Sequence, residues 1–237
     1  MKKLKGINLH FTWEGDEDLS NRMENYVQSL NIEKEIDVYM EVLEGASENE
    51  VGWALFSERN IYIRPTRNLE EFELRLAHEI THIALSDEGY RVIACIQDDG
   101  LCLAFGNILH HLVLYPRLIA SGFSLKQDTN IVMKELTNKL KDYKEISIRH
   151  GSDGIAYVLL LLINDLVRLQ SLKLGEYLLE AHRHVPDLVQ KAQRILEKIG
   201  ERNSSITIEE YERYKIILEE ELGLNFSFLQ TQDSSFS

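Results

Sequence analysis

The residues best suited to chemistry lie in "RLAHEITHIAL", residues 75–85, where two histidines stand four positions apart and a glutamate follows the first. On a helix, positions i and i+4 share a face, so His78 and His82 can present ring nitrogens to one metal ion. Glu79 then lies beside the ion, where its carboxylate can deprotonate a metal-bound water, whose pKa zinc lowers to about 7. The spacing therefore indicates a hydrolytic zinc site. A buried helix with hydrogen-bonded histidines is the competing interpretation.

A catalytic zinc ion needs a third protein ligand, and the chain after His82 offers two adjacent histidines, His110 and His111. Neighbouring residues point about 100° apart on a helix, so at most one of the two faces the metal. His111 shares a stripe of apolar residues that should pack toward the first helix, whereas His110 lies on a more mixed face. We therefore expect His111 to be the ligand, with His110 as the alternative.

Other polar residues near the motif have less specific roles. Glu88, Asp98 and Asp99 are rival carboxylate ligands or hydrogen-bond partners of the histidine N–H groups, although each taken singly is expected to be a solvated loop acid. Tyr115 could stabilise an oxyanion, but a tyrosine in an apolar stripe is more often part of the core. The remaining histidines lack ligand spacing to the motif and are expected to be surface or capping residues: His10, His150, His182 and His184.

Two helices must position these side chains. The first is predicted over residues 69–85, because Asn68 and Glu71 form an N-cap and capping-box pattern before an apolar-periodic run. The second is predicted over residues 101–121 and ends at Gly122, with Pro116 expected to kink it or end it early.

The segments before and after these helices differ in pattern. A helix is predicted over residues 16–30, a strand over 35–43, and two further strands within 51–65. Beyond residue 126 the pattern is helical, with helices predicted over 130–144, 153–172, 175–184, 186–199 and 208–222. We therefore predict an α+β fold, with a short mixed or antiparallel sheet in a domain over residues 1–125. A helical region over 126–230 and a disordered tail over 231–237 follow.

Composition narrows the function classes. The 237-residue chain has a formal net charge of −13, which disfavours direct binding to nucleic acid or to an anionic membrane. Its two cysteines, Cys95 and Cys102, have apolar neighbours and are predicted to be reduced and buried. The beginning of the chain does not read as a signal peptide, and the most apolar run, "IAYVLLLLINDLV", breaks at Asn164 and Asp165. We therefore expect a cytoplasmic protein.

"HEITHIAL", together with the strand segment "GWALFSERNIYIRP" before it, resembles the ImmA/IrrE-type metallopeptidases and related minimal gluzincins over residues 20–125. The resemblance implies a small zincin-like domain in which His78 and His82 bind zinc and Glu79 is the general base. It also implies that the strand segment binds peptide at a sheet edge. Gluzincins use a glutamate on the second helix, and none lies between Gly89 and Phe123. The segment "HHLVLYPRLIASGF" instead resembles one in uncharacterised zincin-like proteins, whose aligned histidine is His111.

Three functions follow as hypotheses. The first is a zinc-dependent peptidase with one zinc ion per chain and a peptide or protein substrate that pairs with a strand near residues 53–63. The second is a regulatory protein on a zincin-like scaffold, with a structural or vestigial metal site and a protein partner bound by the C-terminal helices. A metal-free helical interaction protein is a third, weaker hypothesis.

Overall fold

The computed structural model shows an α+β protein, mostly helical, with a mixed four-stranded sheet and nine helices among the residues it describes. Those residues are 4–11, 19–42, 52–95, 100–134, 136–169, 171–200 and 203–229. The chain divides into two compact units. The first unit contains Met1–Tyr90 and Pro116–Ser124, and the second contains Arg91–Tyr115 and Leu125–Ser237.

The sheet belongs to the first unit. Its strands are β1 (Ile7–Leu9), β2 (Ile36–Tyr39), β3 (Gly52–Leu55) and β4 (Asn60–Ile63), in the spatial order β1-β2-β4-β3. The first three strands in that order are parallel, and β3 runs antiparallel to β4. The predicted strands are confirmed in shorter form, whereas β1 was not predicted. Leu43, the last residue of the first predicted strand, lies outside the described residues.

The two faces of the sheet have different compositions. Alternate residues of β2 and β4 are fully buried, and they are Ile36, Val38, Ile61 and Ile63. On the other face the rings of His10, Tyr39 and Tyr62 form a row, with centroid separations of 4.8 Å and 5.2 Å between neighbours. This alternation is the expected pattern of a sheet that packs on one side only.

Helix α1 (Asn21–Ser29) is tied to the following helix by a buried carboxylate. Ser20 caps α1, since its side chain accepts a hydrogen bond from the Met23 N–H. Glu73 accepts hydrogen bonds from the backbone N–H and the hydroxyl of Ser20, at 2.5 Å and 2.8 Å, and pairs with Arg22 at 2.9 Å. The prediction placed this helix at residues 16–30, of which 16–18 lie outside the described residues.

Helix α2 (Leu69–Asp87) carries the motif and confirms the predicted helix, extended by two residues. Asn68 caps it by accepting a hydrogen bond from the Glu71 N–H at 3.0 Å. The capping box is only half formed, because the Glu71 carboxylate accepts a hydrogen bond from the Thr66 hydroxyl instead. At the other end, Asp87 pairs with the Arg59 guanidinium through two contacts of 2.7 Å and 2.9 Å.

Helix α3 (Gly100–Ala120) confirms the second predicted helix to within one residue at each end. Gly122 follows it with a φ of +82°, a left-handed conformation that favours glycine. Pro116 was expected to kink this helix or to end it early. An early end was wrong, because α3 continues past Pro116 to Ala120, and the kink stays a prediction. By length and composition α3 could cross a membrane, and 61% of the apolar window is buried in the protein. Buried core helices meet the same criteria.

The cysteine prediction was wrong. Cys95 and Cys102 form a disulfide bond, with their Cα atoms 5.6 Å apart, a normal separation for such a bond. Apolar neighbours indicated burial correctly for Cys102, which is 1% exposed. They could not indicate that the two thiols are joined. Next to Cys95, and within the second unit, Ala94 donates its N–H to the Ser227 carbonyl at 2.9 Å.

The rest of the second unit is helical. Its helices are α4 (Lys126–Met133), α5 (Leu136–Arg149), α6 (Gly151–Arg168), α7 (Ser171–His184), α8 (Pro186–Ile199) and α9 (Ile208–Leu222). The predicted helix over residues 130–144 is in fact divided between α4 and α5. The helices predicted over 153–172 and 175–184 are confirmed with shifted ends, and those over 186–199 and 208–222 are confirmed with the predicted ends. The predicted disordered tail, residues 231–237, lies outside the described residues, and the predicted domain boundary near residue 126 stays a prediction.

Asp165 organises the interior of this helical region. It is 2% exposed and accepts hydrogen bonds from Lys139 at 2.7 Å, Tyr143 at 3.2 Å and Tyr177 at 2.9 Å. Burial, together with the Asp165 charge, raises the pKa of both tyrosines well above the ordinary value. The carboxylate therefore links α5, α6 and α7 through one lysine and two tyrosines, and both tyrosines stay uncharged.

Candidate metal centre

The two motif histidines lie one turn apart on α2 with their rings facing each other. Their Nε2 atoms are 3.2 Å apart and their ring centroids 4.9 Å apart. Two nitrogens bound to a tetrahedral zinc ion at about 2.0–2.1 Å stand about 3.3 Å apart. The spacing of His78 and His82 is thus already close to the spacing of two zinc ligands. His82 is buried and its ring has Phe56 at its edge, while His78 is half-buried.

His111 of α3 completes a group of three. His78, His82 and His111 each offer one ring nitrogen, and these nitrogens all lie within 4.8 Å of one another. His111 is buried as well. A group of three imidazoles with a position left for water or substrate is a known donor set of zinc enzymes. The residues present therefore fit a metal ion, and imidazole nitrogen suits zinc, copper, iron and nickel.

His110, the alternative ligand, is not part of this group. It is buried within the second unit, where its ring centroid lies 6.0 Å from that of Tyr211. The two neighbouring histidines of α3 therefore have different surroundings, as the helical geometry required. The apolar stripe through His111 was the sequence feature that distinguished them.

A hydrogen bond from α6 fixes the ring of His111. Its Nδ1 atom lies 2.8 Å from Oδ1 of Asn164. An amide oxygen can only accept a hydrogen bond, so Nδ1 carries the proton and Nε2 keeps its lone pair. The prediction missed Asn164 as a site residue. The available signal was that Asn164 is one of two polar residues interrupting the most apolar run of the chain.

Glu79 is buried next to the start of β3. The ideal Cβ position of Gly52 lies 2.7 Å from Glu79 Oε1 and 3.0 Å from its Cγ, so the carboxylate occupies the space that a larger residue would fill. Glu79 is not one of the three grouped donors. Its position, directly after His78 and against the backbone of β3, is compatible with the role of a base beside the ion.

The other predicted site residues differ in how they are placed relative to the three histidines. Glu88 forms an ion pair with Arg117 at 2.6 Å and does not join the group. Tyr115 is fully buried, and its ring centroid lies 5.0 Å from that of His111. Asp98 and Asp99 lie outside the described residues.

Thr81, inside the motif, is held in place by two hydrogen bonds. Its hydroxyl donates to the Ala77 carbonyl at 2.5 Å. That hydroxyl proton is thereby used, so Tyr26 is the donor in the 2.5 Å contact between its hydroxyl and Thr81 Oγ1. Burial raises the pKa of Tyr26 to about 12. The uncharged tyrosine thereby connects α1 to Thr81 of α2, the residue directly before His82.

The remaining histidines have surface or helix-end roles, as expected. His10 lies 2.6 Å from Asp37, and this hydrogen bond lowers the pKa of the carboxyl. His182 bonds the Leu178 carbonyl at 2.8 Å. His184 lies 3.1 Å from Glu180, whose pKa is lowered chiefly by that contact. His150 occupies the N-cap position of α6 without a side-chain capping bond.

No model of a protein family, no curated protein and no solved structure matches this chain. The chemistry of the histidine group therefore has to be argued from its residue types, distances and burial. The zincin-like resemblance stays a prediction drawn from the motif.

Proposed function

We propose that the chain is a zinc-dependent peptidase, with His78, His82 and His111 as the metal ligands and Glu79 as the general base. The observation that carries the proposal is the convergence of three ring nitrogens within 4.8 Å, with a buried glutamate directly after His78 in the chain. A zinc ion held there supplies Lewis-acid polarisation of a carbonyl and acidifies water. The resemblance of the motif to small metallopeptidases supports the same function.

Glu79 carries the proton transfers in this proposal. Its carboxylate accepts a proton from the attacking water while the water oxygen bonds to the carbonyl carbon of the peptide. As the C–N bond breaks, the protonated Glu79 returns that proton to the leaving amine nitrogen. The second proton of the water reaches the amine by the same route, so the products are a carboxylate and a protonated amine, and Glu79 ends the cycle ionised. Burial beside Gly52 holds the carboxylate in one place, which favours both transfers.

The substrate is proposed to bind along β3. Among the strands that the structure describes, β3 lies at an edge of the sheet, whereas β4 is paired on both sides. An extended peptide can add to such an edge through main-chain hydrogen bonds, about 4.8 Å from the strand it joins. Since Gly52 of β3 contacts Glu79, a peptide on this edge has its backbone near the base. Near the predicted binding region, residues 53–63, we therefore propose β3 as the strand that pairs with the substrate.

Metal content tests the first half of the proposal. Zinc per chain is measured by elemental analysis of the purified protein and of two variants, His111→Ala and His110→Ala. We expect one zinc ion per wild-type chain, loss of zinc in His111→Ala and retention in His110→Ala. The second variant is a matched control, because it removes a buried imidazole from the same turn of α3. Equal zinc retention in both variants contradicts the ligand assignment.

Turnover tests the second half. Glu79→Gln keeps the size of the side chain and removes its basicity, so we expect full zinc content with no cleavage of a library of internally quenched peptides. A Glu79→Gln protein that cleaves at the wild-type rate rules out Glu79 as the base. A zinc-loaded wild-type chain that cleaves nothing in the library favours the regulatory alternative.

That alternative has an observation of its own. Large apolar side chains are exposed on the helices of the second unit, among them Ile148 at 72% and Leu179 at 59%. Such residues can bind a protein partner whether or not the metal site is active. Binding of a partner that is unchanged by Glu79→Gln supports the regulatory function.

A further inference from the structure

Helix α6 contains two polar residues within an otherwise apolar stretch, and the structure uses them differently. Asp165 binds Lys139, Tyr143 and Tyr177, which accounts for a buried carboxylate by packing within the helical region. Asn164 instead points to α3, where its Oδ1 atom lies 2.8 Å from Nδ1 of His111. Of these two polar residues, Asn164 therefore serves one of the three histidines.

We propose that Asn164 is a positioning residue that prepares His111 to bind metal. The proposal depends on the metal site proposed above and extends it to a residue of the helical region, 53 positions further along the chain than His111. In this view α6 is a functional part of the site. Both residues belong to the second unit, so the arrangement is built within that unit.

The physical reason is the tautomer of the ring. A neutral imidazole carries one proton, and only the nitrogen without it can bind a metal ion. The amide oxygen of Asn164 holds that proton on Nδ1 and leaves Nε2 as the donor atom. The same hydrogen bond fixes the rotation of the ring about χ2. Without this hydrogen bond, metal binding also has to select the tautomer and the orientation of the ring, which lowers the affinity for the metal.

A hydrogen-bond partner of a metal-ligating histidine has a measurable effect on metal affinity. Removal of a hydrogen-bond acceptor behind a ligating histidine typically weakens metal binding about 10- to 100-fold. We therefore expect Asn164→Leu, which keeps the side-chain size and removes the acceptor, to weaken zinc binding by that factor. Asn164→Asp keeps an oxygen at the same position and should retain wild-type affinity or exceed it. Affinity is measured by competition with a chromogenic zinc chelator.

A second readout separates positioning from a purely structural role. In the metal-free protein, long-range ¹H–¹⁵N correlation spectra identify the protonated nitrogen of each histidine, at a pH about two units above the ordinary histidine pKa. The His111 signals are assigned by their absence in His111→Gln. We expect the Nδ1–H tautomer in the wild-type protein and in Asn164→Asp, and a mixture of tautomers in Asn164→Leu. A purely structural role predicts a change in the free energy of unfolding with no change of tautomer.

The control is Asn138→Leu, the same substitution at an exposed position on α5, which should change neither readout. If Asn164→Leu does not fold, as judged by circular dichroism, Asn164→Ala replaces it in both measurements. Wild-type zinc affinity and an unchanged tautomer in the acceptor-free variant overturn the positioning role. A wild-type protein that binds no zinc overturns the metal site instead, so the two failures are distinguishable.

Discussion

The carboxylate of Glu79 lies so close to the backbone of Gly52 that residue 52 has no room for a side chain. A Cβ atom there would stand 2.7 Å from Oε1 and 3.1 Å from Cδ of Glu79. All three of the nearest atoms belong to the Glu79 side chain. A larger residue at position 52 is therefore expected to move the side chain of Glu79, the proposed base, and to leave β3 in place.

Gly52→Ala should accordingly separate catalysis from metal binding. Because the carboxylate has to move, we expect peptide turnover to fall by about 100-fold, the usual effect of a misplacement of about 1 Å. Zinc content and the free energy of unfolding should stay near their wild-type values. Gly175→Ala is the matched control, since a Cβ atom there meets nothing within 4 Å. Full turnover by Gly52→Ala contradicts the proposed position of the base.

Tyr26 should make stability fall in strongly alkaline solution. Burial raises its pKa from 10.0 to about 12, so the folded protein holds the phenolic proton more tightly than the unfolded chain does. Below pH 10 both states are protonated and this contribution to stability is fully present. Between pH 10 and about 12 the unfolded chain ionises first. The free energy of unfolding then falls by about 3 kcal/mol over that window.

Tyr26→Phe isolates this effect from the other groups that titrate at high pH. Near neutral pH the variant should be about 1 kcal/mol less stable than the wild type, because the hydrogen bond to Thr81 is lost. That deficit should shrink and then reverse above pH 10. Urea unfolding of both proteins at a series of pH values measures it. A constant difference across the series contradicts the assignment to Tyr26.

The sequence predicted the motif helix well because its signals are local. Asn68 caps α2 and apolar periodicity defines its length, so His78 and His82 could be placed on one face. His111 could be preferred over His110 because the two occupy different stripes of one helix. These inferences need only residue spacing and helical geometry.

Two of the features that were missed, β1 and the role of Asn164, depend on contacts between residues far apart in the chain. β1 has only three residues, and they become a strand because Ile7 to Leu9 pair with β2. The disulfide was missed for another reason, since apolar neighbours indicate burial of a cysteine and do not indicate its oxidation state. Asn164 could be recognised as unusual in an apolar run, but its role depends on α6 packing next to His111. None of these contacts has a signal in local composition.

The disulfide makes a prediction about stability. The bond between Cys95 and Cys102 closes a short loop, with a sequence separation of 7 residues. In the chain-entropy model, a loop of this size stabilises the folded state by about 2.5 kcal/mol. Addition of a dithiol reductant should therefore lower the free energy of unfolding by about that amount. Alkylation followed by mass spectrometry should find no free thiol in protein purified without reductant.

The double variant Cys95→Ser/Cys102→Ser serves as the control for reductant effects unrelated to this bond. It should show the lower stability from the start and no further response to reductant. Rapid alkylation of both cysteines in the folded, unreduced wild-type protein is the outcome that contradicts the bond.

Two helical glycines should respond oppositely to the same substitution. At Gly154 in α6, a Cβ atom would stand 2.5 Å from the Ile146 carbonyl oxygen and 2.7 Å from His150 Cβ. A backbone oxygen cannot move away without disturbing the end of α5, so Gly154→Ala should cost about 1–3 kcal/mol. At Gly175 in α7 the space is open, and alanine should stabilise the helix by about 1 kcal/mol.

Chemical denaturation of the two single variants measures both changes against the wild type. Helix propensity alone predicts stabilisation at both positions, because alanine favours helix over glycine everywhere. A difference in sign therefore reports the close approach of α5 and α6 at Gly154. If Gly154→Ala stabilises the protein as much as Gly175→Ala does, α6 does not pack against the Ile146 carbonyl. The contact between Asn164 of α6 and His111 then has to be reconsidered as well.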